Sequence, residues 1–349
     1  MIVATCSGCG PPATVAAPLP ALVTPAEVMS LLAQLSDDSL RGRLTGAPGA
    51  SMAARMIARE MQRLGLEPAG DSGYFQRVPL YRLTDTAGRV RLRLAPAWAA
   101  LDTIPAERRV WAANILGRLP GSDPSLGPEY ILVDAHYDHL GAAGDPGSRC
   151  RAVGADSICN GADDDASGVV ATLKIAQVMR GGARPRRTVL FAAMTGEELG
   201  LLGARWYADH PALPLASMAA NLEIEMIGRP DSLAGGPGKA WLTGYDKSTM
   251  GDMLAAAGIP LVPDQRPGQG FFQRSDNYVL AQRGIVAQTL SSFNLHRDYH
   301  QPSDEASRAD PAHMAAVIEA AARAVRVLAD GPKPQWKPSG RPEPARPRP

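Results

Sequence analysis

The spacing of apolar positions changes along the chain, and the changes mark the elements. In TPAEVMSLLAQL, Val28, Leu31, Leu32 and Leu35 recur at helical spacing. Thr24 stands as N-cap, Pro25 suits the first helical position, and Glu27 completes a capping box. SMAARMIAREMQRLGL repeats the pattern, with Met52, Met56, Ile57, Met61 and Leu64 on one face and Gly65 as its stop. YFQRVPL and RVRLRL, between residues 74 and 118, read as short strands. Beyond them, buried-type apolar runs alternate with helical stretches. EYILVDAH, RTVLFAAMTG, ANLEIEMIG and GIVAQTL read as strands. SGVVATLKIAQVMR, ELGLLGARWYADH, a stretch near 248–257 and DPAHMAAVIEAAARAVRVL read as helices, the last with Asp310 as N-cap and Pro311 in its first turn. The alternation predicts an α/β fold, with a mostly parallel, mixed central sheet covered by helices on both faces. It runs undivided over residues 25–330, as a single catalytic domain.

Composition adds boundaries. The chain is 45% hydrophobic and 20% charged, in the globular range, and its formal net charge of +1 points to neither nucleic acid nor an anionic surface. No run of eighteen apolar residues predicts a membrane-spanning helix. Residues 1–24 read as a leader remnant or a disordered start. VATC resembles the end of a bacterial lipoprotein signal, with Cys6 as the lipid-bearing residue, and predicts an exported bacterial protein: periplasmic, lipid-anchored or secreted. Residues 331–349 hold seven prolines in nineteen and are expected to form a disordered, polyproline-type tail. Of the four cysteines, Cys150 and Cys159 flank the loop CRAVGADSIC, either as a disulfide or as two free thiols.

Candidate chemistry collects where strands end, the usual place for sites in open α/β sheets. In AHYDHLG, strand alternation puts His136 and Asp138 on one face and sends His139 elsewhere. NGADDDASGVV carries Asp163, Asp164 and Asp165 before a helix; three crowded acids repel unless a cation offsets them. TGEELGL offers Glu197 and Glu198, one suited to bind a cation while its neighbour acts as a base. In NLEIEMIG, Glu223 and Glu225 are acids within an apolar strand, which is costly unless they are paired or metal-bound. HRDYHQPSD adds His296, Tyr299 and His300. Imidazole and carboxylate without thiolate suit zinc or a similar divalent ion.

In this order, HYDHLG, NGADDDASG, GEELGLLGA, NLEIEMIGRP and DYHQPSD resemble the zinc-dependent exopeptidases of the secreted bacterial leucyl aminopeptidase type. Glutamate carboxypeptidase and glutaminyl cyclase share that superfamily. The likeness covers roughly residues 25–330 and implies the zinc-exopeptidase (phosphorylase/hydrolase-like) architecture, two zinc ions per chain and a peptide substrate. It implies His136, Asp164, Glu198, Glu225 and His300 as metal ligands, with Asp164 bridging both ions. Asp138 would orient His136, Glu197 would be the general base, and Tyr299 would polarise the substrate carbonyl or stabilise the oxyanion. Glu225 stands where the family usually has Asp. It is preferred over Glu223 because it alone keeps the spacing to MIG. A Cys150–Cys159 bond would pin the loop that delivers Asp164. The function expected is N-terminal peptide hydrolysis. The rivals are a single-zinc glutaminyl cyclase-like acyltransferase, a carboxypeptidase or dipeptidase, and a binding domain on the same fold that has lost catalysis. The loop GQGFFQRSD is a candidate wall of the side-chain pocket.

Overall fold

A computed structural model describes residues 23–344. Cys6, Cys9 and the rest of the leader lie outside the described residues.

Nine strands form one sheet: β1 (Glu67–Pro68), β2 (Phe75–Arg77), β3 (Ala113–Leu119), β4 (Tyr130–His136), β5 (Thr188–Met194), β6 (Met218–Ile224), β7 (Ala240–Leu242), β8 (Leu261–Pro263) and β9 (Ala287–Ser291). The order is β1-β3-β5-β4-β6-β9-β7-β8, with β2 also on β3. The four central strands β5, β4, β6 and β9 are parallel neighbours; β1, β2 and β3 on one flank, and the β9–β7 junction on the other, are antiparallel. The sheet is therefore mixed with a parallel centre.

Alternation along the central strands supplies two apolar faces. Ile131, Val133, Ala135, Val189, Phe191 and Ala193 pack on one side against helices α1 (Pro25–Leu35), α2 (Pro48–Arg63), α3 (Ser167–Gly181) and α7 (Pro311–Asp330). Tyr130, Leu132, Leu190, Ala192 and Met194 pack on the other against α4 (Leu202–Asp209) and α6 (Asn277–Gln282). Burial on both faces is why these strands read as unbroken apolar runs. The capping box forms: the Glu27 amide donates to Thr24 Oγ1, and the Thr24 amide donates to the Glu27 carboxylate. A short helix, α5 (Met250–Ala256), lies between β7 and β8.

Three details depart from the sequence reading. In α2 the buried face is mainly Ala50, Ala53, Ala54, Ile57, Ala58 and Met61, whereas Met52 is exposed. Small side chains let this helix approach the sheet closely. Helix α4 starts at Leu202, because residues 196–201 form a turn that presents Glu197 and Glu198. The stretch after residue 331, expected to be disordered, is docked through residue 340. Trp336 Nε1 donates to Gly284 O at 2.9 Å, the Thr249 amide donates to Gln335 O, and the Gln335 amide donates to the Thr249 side-chain Oγ1. Trp336 brings an apolar ring that packs edge-on to Phe272, and proline content gave no hint of that anchor.

Candidate metal centre

Parallel register brings the carboxyl ends of β4, β5, β6 and β9 to one edge, with Met194 beside His136 and Glu223 beside Asp134. The chain leaves each strand there with its polar residues: 137–139 after β4, 195–198 after β5, Glu225 after β6, and 292–300 after β9.

Two groups of side chains converge at this edge: His136, Asp164 and Glu225, and His139, Asp164 and Glu198. Asp164 belongs to both. Its Oδ1 lies 3.2 Å from His136 Nε2, and its Oδ2 lies 3.1 Å from His300 Nε2. His300 Nε2 is also 3.2 Å from Glu198 Oε1. The ring of Tyr299 stacks on His300 at 3.8 Å between centroids, and Glu197 Oε2 stands 4.0 Å from His136 Nε2.

The three consecutive aspartates point three ways. Asp163 accepts from the Gly228 amide and meets His296 Nε2 at 2.8 Å. Asp165 accepts from the amides of Gly168 and Met226, both at 2.9 Å. Together they fasten the turn after β6 to the start of α3 and leave Asp164 facing the centre. Asp304 holds them from below, its carboxylate accepting from the amides of Asp163 and Asp164 at 3.1 Å.

Asp138 spans two segments. Its Oδ2 accepts from Thr45 Oγ1 at 2.9 Å and its Oδ1 from the Glu197 amide at 3.1 Å. His136 Nδ1 is 3.1 Å from the Asp138 carbonyl oxygen and 3.9 Å from its carboxylate. Glu223, the rival of Glu225, has its carboxylate occupied by four donors: Ser275 Oγ, Thr289 Oγ1 and the amides of Asp276 and Asn277. The Cys150–Cys159 disulfide is formed and closes the loop before Asn160.

The electrostatics are those of a site short of positive charge. Burial pushes the Glu197 carboxyl well above the usual range, against the pull of His136 and with a further push from Glu198. Burial and the neighbouring Glu223 raise Glu225 to about 8. Burial would also raise Asp164, but His139, His136 and His300 hold it well below the ordinary carboxylate value. Among the described residues, His136 Nε2, both ring nitrogens of His139 and Glu198 Oε1 are buried without a hydrogen-bond partner. Leaving such atoms unpaired is costly, and cations in the two groups would pair His136 Nε2, one ring nitrogen of His139 and Glu198 Oε1. The donor set, imidazole and carboxylate with no thiolate, fits zinc.

Sequence reasoning missed two residues. His139 was expected to face elsewhere; instead it is buried in the centre, because β4 ends at His136 and strand alternation no longer applies. Arg43 drew no attention. Its fully buried guanidinium donates to the carbonyls of Leu35, Tyr137, Asn160 and Gly161 at 2.5–2.8 Å, joining the two loops that carry His136 and Asp164. A lone arginine between turn residues carries no local signal for that.

The fold is the zinc-exopeptidase type of α/β architecture. The chain belongs to peptidase family M28, which matches residues 114–325. It is 31% identical over 142 residues to a probable zinc metalloprotease of Pyrenophora teres f. teres, covering 39% of this chain and 28% of that protein. It is 34% identical over 110 residues to a vacuolar membrane protease of Candida dubliniensis, covering 32% of this chain and 10% of that one. The chain thus spans less than a third of the length of these curated relatives. In fold it is similar to an aminopeptidase from Aneurinibacillus sp., with a TM-score of 0.61 at 15% identity over 88% of this chain and 94% of the other. The expectation of a bacterial exported protein is corrected by these relatives. Several are fungal proteins named for a vacuolar membrane, and the VATC resemblance that suggested export is four residues of leader outside the described residues. Among the described residues no helix is long and apolar enough to cross a membrane.

Proposed function

We propose that the chain is a metal-dependent aminopeptidase that holds two zinc ions and hydrolyses the first peptide bond of its substrates. One observation carries the two-ion reading: the oxygens of Asp164 face two different imidazoles, His136 and His300, as a bridging carboxylate requires. His136, Asp164 and Glu225 would hold one ion, and Asp164, Glu198 and His300 the other. Bound zinc would supply Lewis acidity, drawing charge from the scissile carbonyl and making water easier to deprotonate.

The protein's own groups do the rest. Glu197 lies against the centre without serving in either ligand group, so it is free to take a proton from water and return it to the leaving amine. Its raised pKa brings it toward the range where such an exchange is efficient. Burial, with Asp164 and Glu198 nearby, drives the Tyr299 hydroxyl far up, so it stays protonated and able to donate to the developing oxyanion. Arg274 Nη2 donates to that hydroxyl at 3.4 Å. Met226, Trp241, Phe271 and Phe293 wall the adjoining cleft, room for an apolar side chain, and Phe271 comes from the GQGFFQRSD loop. A free N-terminal ammonium is attracted by the crowd of carboxylates, which favours exopeptidase action over cleavage within a chain.

The test is a panel of aminoacyl-anilides and N-blocked peptides, assayed with zinc and with chelator. Hydrolysis of free N-termini, lost with chelator and restored by zinc, is expected. Cleavage of blocked but not free N-termini would overturn the aminopeptidase reading.

A further inference from the structure

A second cleft borders the centre, apart from the apolar one. The hairpin of strands Leu80–Thr84 and Val90–Leu94 faces segments 44–47 and 146–149, and a space of about 790 Å³ lies between them and Glu198. Leu44, Leu92 and Leu199 give it an apolar floor. Five arginines line it, Arg82, Arg89, Arg91, Arg93 and Arg149, against a single carboxylate, that of Glu198. Arg82 lies opposite Leu92 in the hairpin register, on the face that forms the floor, whereas Arg91 and Arg93 stand at alternate positions on the edge strand.

Little of this charge is matched. Arg89 pairs with Asp85 at 2.7 Å, and Arg91 acts on the same carboxylate. Asp145, just before the 146–149 segment, is taken by Arg41. Arg82 Nη2 donates to a neutral acceptor, Gly46 O, at 3.2 Å. Arg93 has no acidic partner among the described residues. Arg149 Nη1 donates to Glu198 O at 2.5 Å and stands 3.5 Å from a carboxylate that belongs to a metal-binding group. Elsewhere on the surface, Arg63, Arg118 and Arg186 each hold a carboxylate. With a formal net charge of +1 for the whole chain, the cleft is a local concentration of positive charge. A concave wall of one sign focuses its field on whatever enters.

We propose that this cleft receives the part of the substrate beyond the scissile bond and selects a carboxylate there, from an acidic side chain or from the C-terminus of a short peptide. The inference rests on the aminopeptidase reading. In that reading the first side chain occupies the apolar cleft, which borders the centre at Glu197. The arginine cleft borders it at the next residue, Glu198, so a chain reaching from one cleft to the other passes the metal-binding groups. The acids of the centre repel an anionic peptide. The arginines offset that repulsion on the leaving side, and the acids keep the N-terminal ammonium.

The experiment compares kcat/KM for three pairs of leucyl peptides that differ only in carboxylate against carboxamide: Leu-Asp-Gly-amide with Leu-Asn-Gly-amide, Leu-Gly-Asp-amide with Leu-Gly-Asn-amide, and Leu-Gly-Gly with its amide. At least one pair should favour the acid by roughly tenfold, as a hydrogen bond to a charged group supplies. The first two pairs report a side-chain carboxylate and the third a terminal one. In the double variant Arg82→Gln with Arg149→Gln, the acid-to-amide ratio should fall to about twofold or less. A ratio within one enzyme is unaffected by any general loss of turnover transmitted through Glu198. Wild type alone gives a second reading: the ratio should shrink as ionic strength rises from about 0.01 M to about 1 M, where the screening length falls from about 30 Å to about 3 Å. Acids and amides cleaved alike in all three pairs, or a preference that survives the double substitution or high salt, would overturn the inference and leave the aminopeptidase reading standing. Failure to release leucine from any of the six peptides would overturn both.

Discussion

The backbone amide of Glu197 donates to the carboxylate of Asp138 at 3.1 Å, tying the turn after β5 to the turn after β4. The other oxygen of the same carboxylate takes the Thr45 hydroxyl. Asp138 thereby positions Glu197 more directly than it positions His136, whose Nδ1 is closer to the Asp138 carbonyl than to its carboxylate. Asp138→Ala should lower kcat by roughly 10–100-fold, in the range for groups that support active residues, with a smaller loss of zinc affinity. Paired turnover and zinc titrations check this; an affinity loss larger than the kcat loss would place its effect on His136 instead.

Glu197→Gln keeps the shape of the side chain and removes the base. Turnover should fall by about 10²–10⁴-fold with zinc content unchanged. The check is kcat measured beside elemental analysis of the same preparation. Turnover at the wild-type level would exclude Glu197 as the base.

The two acids of the NLEIEMIG segment should separate cleanly. Glu225→Ala should take one zinc equivalent from the purified protein. Glu223→Gln should keep both and lose about 1–3 kcal/mol of stability, because donors from Ser275, Thr289 and the 276–277 backbone lose a charged acceptor. Zinc content and urea unfolding together decide the assignment; the opposite pattern would hand the ligand role to Glu223.

Arg43→Met should destabilise the fold by about 3–5 kcal/mol, the range for breaking a buried charged network from one side. Burial lowers the Arg43 pKa to about 10, but Asp138, Asp304, Asp164 and Asp165 keep the guanidinium charged. The substitution strands four carbonyls and removes the cation facing those acids. Chemical denaturation provides the measurement, and a loss below about 1 kcal/mol would rule out this role.

His313 predicts an acid-sensitive contribution to stability. Its Nδ1 accepts from the Gly238 amide and its Nε2 meets Ser292 Oγ, an arrangement that needs a neutral ring. Burial lowers its pKa, against opposing pulls from Asp310 and Asp163. As pH falls through the ordinary histidine value of about 6.5, the unfolded chain takes up the proton first, so stability is lost on the acid side and present above it. Wild type should lose more stability than His313→Gln between pH 7 and pH 5 in urea unfolding. Equal losses would remove His313 from the account.

Much of the fold was legible because its causes are local. The Thr24 capping box, Pro311 behind Asp310 and the apolar runs of the central strands each rest on neighbours a few residues away. Capping and alternation act over that same range. Placing acids and imidazoles at strand ends needed only those elements and the rule that parallel strands share a carboxyl edge. The preference for Glu225 over Glu223 came from the family resemblance, which fixes the spacing to MIG.

What tertiary structure decided lies in the turns beyond those ends, where no period governs the side chains. His139 enters the centre because the chain turns after His136, and that turn is held by Arg43, 94 residues away in sequence from Tyr137. The same guanidinium reaches Gly161 across 118 residues. Trp336 docks on Gly284 for a similar reason: its partner is fixed only once the sheet has formed. Contacts of this kind depend on a buried donor meeting a carbonyl that the rest of the fold has already placed. Local sequence carries the donor and leaves its destination open.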